Sequence, residues 1–124
     1  MIKINVSGLA AKEIASKIKE IAGEGVEVKV LADIAGAKEV AQGKADYYFG
    51  ACATGGGGAL SMAIAILGFG ACFTVSTAGK APREEEIQRA VASGKKAFGF
   101  TSDHVDRAVP LIIKAILAAR SLEG

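Results

Sequence analysis

Between Asp46 and Lys80 the chain carries no charged residue, and four consecutive glycines, Gly55 to Gly58, break that stretch near its start. So long an uncharged segment has to be covered, which puts it at the centre of whatever fold forms. Asp46 to Ala51 is nearly continuously apolar through Tyr47, Tyr48 and Phe49, the pattern of a strand covered on both faces. From about Ala59 to Leu67 the chain is apolar all round apart from Ser61, which predicts a helix with no solvent face. A membrane span needs about 20 unbroken apolar residues. The glycine run, the break at Gly68 and Gly70 and the Phe-Thr-Val-Ser run after it predict a buried helix and then a buried strand instead.

The rest of the chain alternates around this centre. Ile2, Ile4 and Val6 alternate with Lys3 and Asn5, a strand over Ile2 to Val6. Ile14, Ile18 and Ile21 recur at helical spacing between Ala10 and Ala22, and Gly23 and Gly25 end that helix. Val26 to Leu31 alternates with Glu27 and Lys29 outward, as near a sheet edge. A second amphipathic helix runs from Asp33, its expected N-cap, to about Gln42, with Gly43 as its stop. Ala71 to Val75 is the fourth strand. Pro82 in a first turn and Glu84, Glu85 and Glu86 open a helix to Gly94.

Ala97 to Phe100 is a short fifth strand, after which Thr101, Ser102 or Asp103 caps a last helix reaching about Leu122. Pro110 lies inside it and should kink or divide it near Val109. Five β-α alternations imply a single three-layer α/β domain over residues 1–124. Its mainly parallel five-stranded sheet would carry helices on both faces, Rossmann-like or flavodoxin-like. In so small a domain a second copy of the chain is the expected cover for helix 59–67, so a homo-oligomer, at least a dimer, is expected.

Composition narrows the partners. With 124 residues, a net charge of +2 and no basic run, nucleic acid is set aside. Cys52 and Cys72 are far apart in apolar stretches, and no charged signal segment precedes the first strand, so reduced thiols in a cytoplasm are expected. No His, Cys and carboxylate spacing argues for a metal, and no cofactor fingerprint is matched: no Lys-Ser/Thr follows the glycines.

Open α/β sheets bind ligands beyond the carboxyl ends of their strands. The segments leaving strand ends are Ser7-Gly8, Cys52-Ala53-Thr54 with Gly55, Gly56, Gly57 and Gly58, Ser76-Thr77 with Lys80, and Ser102-Asp103-His104. A glycine run before a helix exposes backbone N–H groups at the positive end of the helix dipole, a common seat for phosphate, carboxylate or enolate. The same run also suits a sharp turn and tight helix packing. Cys52 beside that loop is a candidate base or nucleophile, and equally a packed strand-end cysteine; Thr54 is a ligand contact or a cap. His104, the one histidine, sits with Asp103 at the same edge, as an acid/base pair or as capping residues. Cys72 reads as core, and so does at least one of Tyr47 and Tyr48.

Two resemblances follow from these residues. Over almost the whole chain, ADYYFGACATGGGGALSMAIAI, KKAFGF and DHVDRAVPLI are similar to a YhfU-type family of small bacterial proteins of unknown function, which lends no activity. Over about two dozen residues, GKADYYFGACATGGGGALSMAIA resembles the loop of ribose-5-phosphate isomerase B type sugar-phosphate isomerases, with Cys52, Thr54, Gly55 and Gly57 matching Cys-x-Thr-Gly-x-Gly. That resemblance implies Cys52 as base, Thr54 as a hydrogen-bonding helper, the amides of Gly55 to Gly58 as an oxyanion hole, and a dimer with shared sites. Ser7-Gly8-Leu9 stands where that family has an Asp-His pair, residues are inserted after Gly57, and its phosphate-gripping arginine region is missing.

The expected function is therefore small-anion binding, with isomerase-like proton transfer on a phosphorylated or carboxylated sugar-like metabolite. The alternatives are a non-catalytic binding or accessory subunit, and a structural oligomer.

Overall fold

A computed structural model describes residues 1–53 and 56–123, with backbone only for 56–59 and 122–123. Five strands, β1 (Ile2–Gly8), β2 (Val26–Val30), β3 (Tyr47–Cys52), β4 (Cys72–Thr74) and β5 (Ala97–Thr101), alternate with five helices. The helices are α1 (Ala11–Ala22), α2 (Asp33–Ala41), α3 (Gly56–Leu67), α4 (Glu84–Ala92) and α5 (Val105–Glu123). All strand pairs are parallel, in the order β2-β1-β3-β5-β4. The expected three-layer α/β architecture is the one observed. The strand order matches the flavodoxin-like pattern as far as β3 and then exchanges the last two strands.

Strand alternation divides the core into two layers. Ile4, Val6, Tyr47, Phe49, Phe98 and Phe100 point to the side covered by α1, α4 and α5, where Phe49 meets Phe98 and Phe100 edge-on at 5.9 and 6.3 Å. Tyr48 and Ala97 point to the thinner layer under α2 and α3, packed with Ala37, Val40, Leu60, Ala63 and Cys72. Small residues let α3 approach: a Cβ on Gly99 would lie 2.6 Å from Leu60 Cγ. β3 is central and buried along most of its length, as its unbroken apolar run requires. β2 forms one edge, its Glu27 exposed.

Several local expectations change. β4 is the other edge and only its Cys72 is buried, because β5 takes the inner place beside β3. Asp33 is the first residue of α2, not its cap: Ala32 holds the cap position, and Asp33 Oδ1 accepts from the Ile34 N–H at 2.8 Å. Pro82 stands ahead of the Arg83 cap of α4. Pro110 does not divide α5, which runs from Val105 to Glu123. An interior proline costs about 3 kcal/mol. Val109, Ile112, Ile113 and Ile116 are all buried on the same helix, at about 1.5–3 kcal/mol each, and together they outweigh that cost. Among the described residues no helix is long and apolar enough to cross a membrane.

Candidate functional site

The strand register brings the four sequence segments to one edge of the sheet. Ser7 pairs with Gly50 and Gly8 with Ala51 across β1 and β3, and Cys52 pairs with Thr101 across β3 and β5. The chain after β4 stays with them: Val75 N–H donates to Gly99 O at 2.7 Å, and Thr101 N–H donates to Ser76 Oγ at 3.2 Å. Because Tyr48 and Ala97 face α2 and α3, Gly50 and Cys52, and likewise Thr101, lie on that same face. Paired strands run about 4.8 Å apart, so Cys52 neighbours Thr101 directly on the face where α3 begins at Gly56.

Thr101 ties this edge together. Its buried Oγ1 lies 3.3 Å from Ser76 Oγ and hydrogen-bonds His104 Nδ1, while Asp103 Oδ1 stands 3.7 Å from the same ring nitrogen. The Thr101 hydroxyl holds the Asp103 carboxyl below its ordinary range; the neighbouring imidazole adds to this and burial opposes it. A threonine hydroxyl has one proton to give. Ser76 Oγ and His104 Nδ1 both lie within hydrogen-bond reach of that hydroxyl, which joins the two residues at this edge. The single turn of 3-10 helix at Ser102–His104 carries both residues at the foot of α5.

Beside this cluster lies a cavity of about 270 Å³ whose lining includes Ser7, Gly8, Asp33, Tyr48, Gly50 and Ala51. It opens between β1 and β3, where the chain, having stepped outward from β1 to β2, returns across β1 to form β3. The Ser7 and Tyr48 hydroxyls are buried and hydrogen-bonded to each other. Burial raises the Tyr48 phenol above its usual range, the Asp33 charge adds to this, and the Ser7 bond acts in the opposite direction. Gly8 has φ +92°, and a Cβ there would lie 2.1 Å from Ala51 O, which accepts the Leu9 N–H at 3.1 Å. Glycine at position 8 is thus demanded by the backbone itself. A larger depression of about 680 Å³ near Met1, Lys19 and Glu27 lies at the opposite ends of the strands, away from all of these groups.

Of the sequence candidates, Ser7, Gly8, Cys52, Ser76, Asp103 and His104 meet at this edge. Cys52 is half-buried and not disulfide-bonded. Thr77 follows Ser76 and closes a tight loop with Lys80 through backbone bonds of 3.0 and 3.1 Å. Lys80 itself turns to Glu86 of α4 at 3.1 Å, toward the other face of the sheet, and so is not brought to the cluster. Gly56, Gly57 and Gly58 open α3; Thr54 and Gly55 lie outside the described residues. Cys72 is buried, with its thiol raised by burial, and it donates to Gly68 O at 3.5 Å, a core residue as expected. Tyr48, Asp33 and Thr101 enter the site from roles that the sequence assigns to core and caps.

Fold and edge together define a three-layer α/β protein that gathers hydroxyl, thiol and imidazole groups at the carboxyl ends of an all-parallel sheet. The chain belongs to the family described as Protein of unknown function DUF2620, whose model matches residues 2–116. It is 41% identical over 113 residues to the uncharacterized protein YhfU of Escherichia coli (strain K12), covering 91% of this chain and 97% of that protein. The YhfU protein of Shigella flexneri matches with the same identity and coverage. No solved structure matches the chain at a significant level.

Proposed function

We propose that this protein binds a small phosphorylated or carboxylated sugar-like metabolite at the carboxyl edge of β3 and moves a proton on it. The observation that carries this reading is the pairing of Cys52 with Thr101, whose hydroxyl holds His104, on the face where α3 begins. A proton acceptor on β3 and a proton carrier just past the end of the adjacent β5 then stand together, and the amino end of a helix offers its N–H groups to negative charge. In the proposed step the Cys52 thiolate takes a proton from the carbon next to the ligand carbonyl. The electron pair moves onto the carbonyl oxygen, and the enediolate is held by the amides of Gly55 to Gly58 with help from Thr54. His104 exchanges the hydroxyl proton between the two oxygens, and Cys52 returns its proton to the neighbouring carbon. The resemblance of the Cys52–Gly58 loop to sugar-phosphate isomerases supports the same assignment.

Binding without chemistry is the second reading. It is favoured by Ser7-Gly8-Leu9, which stands where the sugar-phosphate isomerases have an Asp-His pair and so leaves fewer groups to move protons. Either reading includes an oligomer of at least two copies, joined through helix 59–67. Its Ala65 is exposed, its Ile64, Ile66 and Leu67 are half-buried, and the following Phe69 is 79% exposed.

The test is deuterium exchange from solvent into a panel of sugar phosphates and small keto acids, followed by NMR. Cys52→Ala should lower exchange by about 10²-fold or more with ligand affinity retained. Wild-type protein that binds a panel member yet exchanges nothing would leave the binding module standing and remove the enzyme.

A further inference from the structure

We infer that the cavity between β1 and β3 is a polyol subsite, in which the Ser7–Tyr48 hydroxyl pair and the Asp33 carboxylate recognise neighbouring hydroxyl groups of the ligand. The inference rests on the anion-site reading above and adds the part of the ligand that the anion site leaves undefined.

Counting hydrogens carries the argument. Two hydroxyls joined by one hydrogen bond hold two protons, and the bond uses one of them. Whichever of Ser7 and Tyr48 donates, the other keeps a proton that it can offer to an acceptor in or beside the cavity. Asp33 supplies the opposite need: an exposed carboxylate whose Oδ1 takes one backbone N–H and which otherwise only accepts. A sugar hydroxyl both donates and accepts, so a pair of neighbouring hydroxyls satisfies both walls at once.

The dimensions agree. At about 30 Å³ per water-sized group, 270 Å³ holds about nine such groups, the scale of a three- or four-carbon polyol. The position agrees as well. Gly50 and Ala51 line the cavity and lead along β3 directly to Cys52, so a ligand chain seated here has one end toward the thiol.

Inorganic phosphate, erythritol and erythritol 4-phosphate serve as probes, titrated by NMR into wild-type protein, Asp33→Asn and Tyr48→Phe. Erythritol should shift the amides of Gly8 and Gly50. Erythritol 4-phosphate should bind about tenfold more tightly than phosphate, and each substitution should remove about tenfold of its affinity with phosphate binding unchanged. Because Asp33 is exposed, Asp33→Asn reports even where Tyr48→Phe loosens the fold. Phosphate bound as tightly as erythritol 4-phosphate, with no response to either substitution, overturns the subsite and leaves the anion site. Erythritol shifts without phosphate binding uphold the subsite and remove the anion site. No response to any probe removes both.

Discussion

Tyr48 shows how a residue changes meaning once its neighbours are known. In the sequence it is one of two tyrosines in an apolar strand and reads as core, which it is. Only the pairing of β1 with β3 puts its hydroxyl against Ser7 and above a cavity that Asp33 also lines. The folded protein favours the neutral phenol, so its pKa is raised above the unfolded value of about 10. The corresponding stability is fully present below about pH 10 and is lost as pH rises toward the folded value. Urea unfolding between pH 8 and 11 should therefore show a steeper alkaline decline for wild type than for Tyr48→Phe. At neutral pH that variant should be about 1–2 kcal/mol less stable, since Ser7 loses its partner. Parallel declines would remove Tyr48 as the cause. Asp33 and Thr101 were hidden for the same reason: an acid or a hydroxyl at a helix start is explained by capping, and nothing local signals a second use. Gly8 is the converse case, because a position read as a ligand contact turns out to be required by the approach of Ala51 O.

Elements were more legible than residues because periodicity is local. Strand alternation and helical stripes marked all five strands and all five helices, with ends displaced where a cap or proline was given too much weight. α5 passes Pro110 undivided because tertiary burial outweighs one lost hydrogen bond. Under the proposed anion-binding reading, function and stability pull apart at the start of α3. Gly56, Gly57 and Gly58 are helical, and glycine in a helix costs about 0.5–1 kcal/mol relative to alanine. Gly57→Ala should therefore stabilise the protein by about 0.5 kcal/mol in urea unfolding and weaken phosphate binding at least tenfold, as judged by NMR titration. A variant that gains stability with unchanged phosphate affinity would make the glycines a packing device only. The exchange of β4 and β5 was not legible, since strand order depends on contacts between distant segments that no local pattern encodes.

At the scale of the whole molecule, the uncharged segment explains both the central strand and the outer apolar side of α3 with Phe69. If copies meet there, light scattering after size exclusion should give at least twice the chain mass. Ala65→Glu should shift the protein to monomer with its far-UV circular dichroism preserved. A wild-type monomer at micromolar concentration would remove the oligomer. The same strand exchange has a consequence for synthesis. β5 fills the gap between β3 and β4, so a nascent chain ending at Lys96 has an open seam in its sheet and a fourth strand with no neighbour. Closing the sheet over the uncharged centre therefore waits on a segment that comes later in the chain than either of the strands it joins.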